Sequence, residues 1–220
     1  MRLYLSSYRG AETAPRLLDL AGGPRRAVVV SNAVDLVPAA ERQAYARNVH
    51  DPVAELCEAG FDAVALDLRD YFGRAAALDR DLAGVGLVWA VGGNAFLLRR
   101  ALRQSGLDAI LAQRLAEDSL AYGGWSAGAC VAGSTLRGLH LMDEPQALAP
   151  GYEPAIVWEG MGLVDFAIVP HFASAHAEAA AASQAAAYMA ANAIAYRTLR
   201  DGEAILRQGD QIEIVGAPAA

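Results

Sequence analysis

The chain has 220 residues, 55% of them hydrophobic, and a formal net charge of -7, which suits one α/β domain over residues 1–220 with a sizeable core. A surface that acidic repels phosphate backbones and anionic lipid, so neither nucleic acid nor a membrane is an expected partner. All 18 basic residues are arginine and none is lysine, which excludes a Walker-type phosphate loop, a pyridoxal Schiff base and a Ser–Lys dyad.

In chain order, Leu3-Tyr4-Leu5 is the first predicted strand. No long apolar run follows Met1, so the start does not read as a signal peptide. Ala27–Val30 is the second strand, and a helical stretch from about Ala39 to Ala59 breaks near Pro52. Ala63–Leu66 and Gly86–Val91 are the third and fourth strands. Helices are predicted from about Phe96 to Gln104 and from about Leu107 to Asp118. Ala121–Gly124 is a strand that runs into a turn at Ser126, with a helix beginning near Ala127. Asp143 to Gly160, with three prolines, reads as loop, Leu163–Val169 as strand and Ala177–Ala193 as a surface helix. From about Ile194 to Val215 short strands are broken by Asp201-Gly202 and Gly209-Asp210. Strand alternating with helix predicts a mostly parallel central sheet with helices on both faces. The strands are continuous apolar runs, as buried parallel strands are. No run of about 18 apolar residues suggests a membrane span, and Cys57 and Cys130 do not suggest a disulfide scaffold, so the expected location is cytoplasmic.

Three turns carry candidate chemistry. Gly124-Trp125-Ser126-Ala127-Gly128 has the G-x-S-x-G pattern of a nucleophile elbow. There a serine Oγ is presented on a strained turn, and small neighbours relieve the crowding. The N–H of Ala127 would lie near a helix N-terminus and stabilise an oxyanion; the alternative role for Ser126 is a helix N-cap. Cys130, one helical turn on, reads as a small buried residue. Gly92-Gly93-Asn94 ends the fourth strand at the sheet edge where α/β folds place their sites. Gly93 N–H could be a second oxyanion donor, and Asn94 either a substrate contact or an N-cap. A serine nucleophile needs a base, and among His50, His140, His171 and His176 only His171 follows a predicted strand end, through Pro170. The orienting carboxylate is Asp201 or Glu203, and the pattern alone does not choose between them. The histidines lack H-E-x-x-H spacing, so no metal or other cofactor is expected.

Gly92-Gly93-Asn94, Gly124-Trp125-Ser126-Ala127-Gly128-Ala129, Pro170-His171-Phe172 and Asp201-Gly202-Glu203-Ala204, in that order, resemble the dipeptidase E (aspartyl dipeptidase) family of serine peptidases. The resemblance runs from about Trp89 to the C-terminal residues. It implies a class I glutamine-amidotransferase-like fold, Ser126 as nucleophile, His171 as base and Asp201 as the third member. It also implies a short peptide as substrate, with a homodimer as the assembly to test. Two departures stand out. Position 95 is alanine where the family turn usually has threonine, and Phe172 to Ala193 contains no arginine where aspartyl dipeptidases carry one. Arg137 is the substitute the sequence offers for pairing with a substrate carboxylate. The rival readings are a cyanophycinase-like amide hydrolase of the same superfamily and a non-catalytic small-molecule-binding protein on the same fold.

Overall fold

The computed structural model describes residues 1–9 and 14–216. Its central sheet has seven strands in the order β3-β2-β4-β5-β1-β8-β9. These are β1 (Arg2–Ser6), β2 (Arg26–Val30), β3 (Asp62–Leu66), β4 (Leu87–Ala90), β5 (Ala121–Trp125), β8 (Glu203–Gln208) and β9 (Gln211–Gly216). The first five are parallel, while β8 runs antiparallel to β1 and forms a hairpin with β9. β6 (Ala167–Val169) and β7 (Tyr196–Thr198) form a separate parallel pair.

Alternation along the strands feeds two cores. Leu3, Leu5, Val28, Val30, Val88, Ala90 and Tyr122 point to one face. That face is covered by α4 (Ala75–Asp81), α5 (Ala95–Ser105), α6 (Leu107–Ala116), α7 (Ala127–Cys130) and α8 (Ala179–Ala191). Tyr4, Val29, Leu87 and Trp89 point the other way, against Leu17 and Leu20 of α1 (Ala14–Ala21) and Leu56 of α3 (Pro52–Glu58). The predicted mostly parallel sheet with helices on both faces is thus present. α2 (Ala39–Asn48) lies outside both cores and buries none of its residues.

One expectation changes. The strand predicted over Leu163–Val169 shrinks to Ala167–Val169 and leaves the central sheet. The backbone before it bonds elsewhere: Leu163 N–H donates to Ala132 O, and the Leu163 carbonyl accepts from Arg207. The helix after Ser126 is a single turn, because the chain breaks at Gly133, whose N–H closes onto Cys130 O. The loop from Asp143 to Gly160 is as predicted. Arg100, 1% exposed, ties it down by donating to the carbonyls of Pro145, Ala147 and Ala155.

Candidate active site

At the end of β5 the chain turns sharply at Ser126, whose φ of 51° and ψ of -114° lie where a side-chain-bearing residue is strained. The neighbours must be small. A Cβ at Gly124 would come within 2.6 Å of Ala90 O, and one at Gly128 would run into the same carbonyl. The one-turn α7 therefore packs directly on β4. Tyr122 Oη fixes it by donating to Gly128 O at 2.7 Å. The Ser126 N–H donates to Ser6 O and Ser7 O, both at 3.1 Å, so the turn is pinned to the end of β1.

His171 follows β6 through Pro170, has a φ of 60°, and is 1% exposed. Its Nδ1 is 2.8 Å from Asp201 Oδ1. Its Nε2 is 3.8 Å from Glu178 Oε2 at the start of α8. Burial lowers the His171 pKa from its ordinary value, opposed by the charge and hydrogen bond of Asp201. The ring is neutral at neutral pH and able to accept a proton. With the Nδ1 proton donated to Asp201, the lone pair sits on Nε2.

Glu203, the other carboxylate the sequence left open, turns away and accepts the Arg200 N–H at 2.8 Å. Asp201 itself is positioned by a Ser174 hydroxyl that accepts its N–H at 2.8 Å. Sequence reasoning missed the residue that gathers this corner. Ser7, fully buried just beyond β1, accepts the His171 N–H and donates to Asp201 Oδ1, each at 2.8 Å. Its carbonyl takes the Ser126 N–H. One serine thus touches the main chain of Ser126, the main chain of His171 and the carboxylate of Asp201. A polar pair, Ser6-Ser7, closing an apolar strand at the same sheet edge was the available signal.

The other histidines separate. His176 stacks on His171, with ring centroids 3.8 Å apart and planes 9° apart. His50 meets Trp125 edge-on at 6.2 Å, and His140 packs between Trp158 and Tyr188. Tyr8 forms the wall between the two halves of the site, 5.7 Å from Trp125 and 5.9 Å from His171. Cys130 is buried, and burial holds its thiol well above the usual range, which leaves it inert. His171, His176 and Glu178 offer ligand atoms within 4.8 Å of one another. The His176 Nδ1, however, already accepts the Glu178 N–H.

On the opposite side lies the turn after β4. Gly93 has a φ of 133°, and a Cβ there would come within 2.7 Å of Ala33 O, so only glycine fits. Among the described residues no acceptor takes the N–H of Gly93 or of Ala127. Asn94 caps α5: its Oδ1 accepts the Leu97 N–H at 2.9 Å, and its Nδ2 donates to Glu144 O at 3.0 Å. Asp143 accepts the Ala95 N–H at 2.8 Å. Burial pushes its pKa up to about 7, against that hydrogen bond and with help from Glu178. Arg137 lies elsewhere, its guanidinium 5.0 Å from the centre of the Trp158 ring.

Comparison with known proteins adds to this geometry. Residues 10–215 match the model of peptidase family S51. An uncharacterized peptidase of Listeria innocua serovar 6a, Lin0382, is 31% identical over 85 residues, which is 39% of this chain and 38% of that protein. A crystal structure assigned to peptidase E of Listeria monocytogenes EGD-e superposes with a TM-score of 0.75 at 18% identity, covering 98% of both chains. A peptidase from an acI-B1 actinobacterium superposes with a TM-score of 0.69 at 16% identity, over 98% of this chain and 87% of the other. At those identities the two structures speak for the fold. Among the described residues no helix is long and apolar enough to cross a membrane.

Proposed function

The chain belongs to peptidase family S51, and from that premise we propose that it is a serine peptidase hydrolysing short peptides through Ser126, His171 and Asp201. The observation that carries the reading is the hydrogen bond from His171 Nδ1 to Asp201 Oδ1 at 2.8 Å, tied through Ser7 to the strained turn at Ser126.

In this reading Ser126 Oγ attacks the scissile carbonyl carbon while His171 Nε2 takes its proton. Asp201 holds the tautomer and stabilises the imidazolium that forms. The N–H groups of Gly93 and Ala127, which have no acceptor among the described residues, bind the developing oxyanion. The one-turn α7 adds little dipole, so the N–H groups themselves do most of this. His171 then gives its proton to the leaving amine, and an acyl–Ser126 ester remains. Water, deprotonated by His171, attacks that ester and restores the serine. Asn94 contributes by shaping the Gly93 turn, since both ends of its side chain are engaged with the protein.

The test is hydrolysis of Asp-Leu, Leu-Leu and Ala-Ala by the purified protein and its Ser126→Ala variant, alongside labelling by a fluorophosphonate. Serine-dependent cleavage with labelling at Ser126 supports the reading. Absence of both would turn it toward a binding protein on the same fold.

A further inference from the structure

Beside the Gly93 turn a cleft of about 650 Å³ opens toward α2. That size falls among small-molecule sites, which span about 300–1,000 Å³. At its inner end Gly93 lines it together with Trp125, the residue before Ser126. The turn and the ring lie directly against each other, since a Cβ at Gly92 would run into the Trp125 ring. The cleft therefore begins where the scissile carbonyl would sit.

The outer wall includes Val34, Val37, Tyr45 and Ala46. Tyr45 and Ala46 belong to α2, which buries none of its residues, and Val37 just before it is 37% exposed. This helix has no core to serve, yet it lines a concave surface with apolar side chains. Apolar surface gathered in a concavity, rather than scattered singly, marks a place where an apolar group binds.

The charges along the cleft are set against an acidic occupant. Arg42 is the one arginine among the described residues that line it, and it pairs with Asp35 at 2.9 Å. His50 is held toward its neutral form chiefly by burial. Glu41 and Asp51 add negative charge to the lining. A carboxylate placed there would lose water and meet like charges without a cation to pair with. The position of His171 sets the direction of a bound peptide. Tyr8 stands between Trp125 and His171, 5.7 Å from one ring and 5.9 Å from the other. The leaving amine has to face His171, so the acyl half extends the other way, past Trp125.

We propose that the cleft is the subsite for the acyl-side residue of the peptide and that it selects a large apolar or aromatic side chain, not an acidic one. This rests on the peptidase reading given above and names the substrate class within it: short peptides whose acyl residue resembles phenylalanine or leucine. Trp125 and Tyr45 supply aromatic surface for such a side chain.

The experiment compares Phe-Ala, Ala-Phe, Ala-Ala and Asp-Ala for the wild type, Ala46→Phe and Val37→Arg. In the wild type kcat/KM for Phe-Ala should exceed that for Ala-Ala and Asp-Ala by on the order of tenfold to a hundredfold. Ala46→Phe fills the cleft and should remove that advantage while leaving Ala-Ala within about threefold. Val37→Arg puts a cation on the wall and should move the preference toward Asp-Ala. A wild type that prefers Asp-Ala or Ala-Phe, or equal losses on Phe-Ala and Ala-Ala in Ala46→Phe, overturns the proposal. If the wild type cleaves no peptide and does not label, the peptidase reading fails by itself. The subsite is then read by tryptophan fluorescence with N-acetyl-phenylalanine amide and N-acetyl-aspartate amide. Binding of the first alone, weakened in Ala46→Phe, upholds it; equal binding of both, or of neither, rejects it.

Discussion

Two regions flank the Ser126 turn and are built on opposite plans. In the corner of Ser7, His171, Ser174 and Asp201 the polar atoms are joined to one another by bonds of about 2.8 Å. On the other side, around the Gly93 turn, the buried Trp125 Nε1 has no hydrogen-bond partner among the described residues, and the half-buried Asp143 accepts one backbone N–H. A satisfied network fixes geometry, whereas an unsatisfied one stores free energy that a ligand can release. The corner is therefore built to hold its side chains still.

That contrast can be broken by substitution. Removing a member of the corner should cost activity, and removing an unsatisfied group from the other side should cost nothing or add stability. Ser126→Ala should lower kcat on the order of a thousandfold or more, read by steady-state dipeptide hydrolysis. Asp201→Asn should lower kcat by a comparable factor, about a thousandfold to ten-thousandfold, because the amide favours the wrong imidazole tautomer. Glu203→Gln, whose parent accepts only the Arg200 N–H, should stay within about threefold on the surface-substitution scale. Equal losses at the two positions would remove Asp201 from its role.

Asp143→Asn tests the other side. A carboxyl whose pKa rises from 3.8 to about 7 on folding supports the fold fully below pH 3.8, and that support is lost as pH rises through about 7. The amide keeps an acceptor for the Ala95 N–H and carries no charge. The variant should therefore gain stability, more at pH 8 than at pH 5 by about 2 to 3 kcal/mol. Denaturant titrations at the two pH values measure this, and a loss at pH 8 would show that the ionised carboxylate has a partner. Ser7→Ala should lower kcat by about tenfold, the scale of one buried hydrogen bond to a charged group, with KM little changed. Ser7→Thr should restore part of it, a rescue that a simple packing defect would not show. The smallest effect is in the pH profile. Burial dominates at His171, so the acid limb of kcat/KM should fall below pH 6.5. A limb above 6.5 would mean that the Asp201 and Glu178 charges outweigh burial.

Much of this was legible in the sequence, for reasons that can be named. The parallel strands could be read because buried strands are continuous apolar runs, as in Ala27–Val30 and Leu87–Ala90. The sharp turn at Ser126 and the strand-end place of His171 could be read because a serine among small residues and a histidine after a strand-ending proline are local patterns. Asp201 could not be separated from Glu203, since two residues of spacing around a glycine turn place either acid within reach. The choice is made by Ser7 and Ser174, one of them 194 residues away. Helices α1 and α4 were missed because eight and seven residues make barely two turns, too few for a period to show.

The pairing of β1 with β8 has a consequence in time. During synthesis Ser126 and its turn emerge well before Asp201, and the β1 edge waits open until residues 203–208 arrive to cover it. Until then His171 lacks its orienting acid, and Ser7 has no carboxylate to hold. In the proposed mechanism the groups that act together are thus assembled only when the sheet closes.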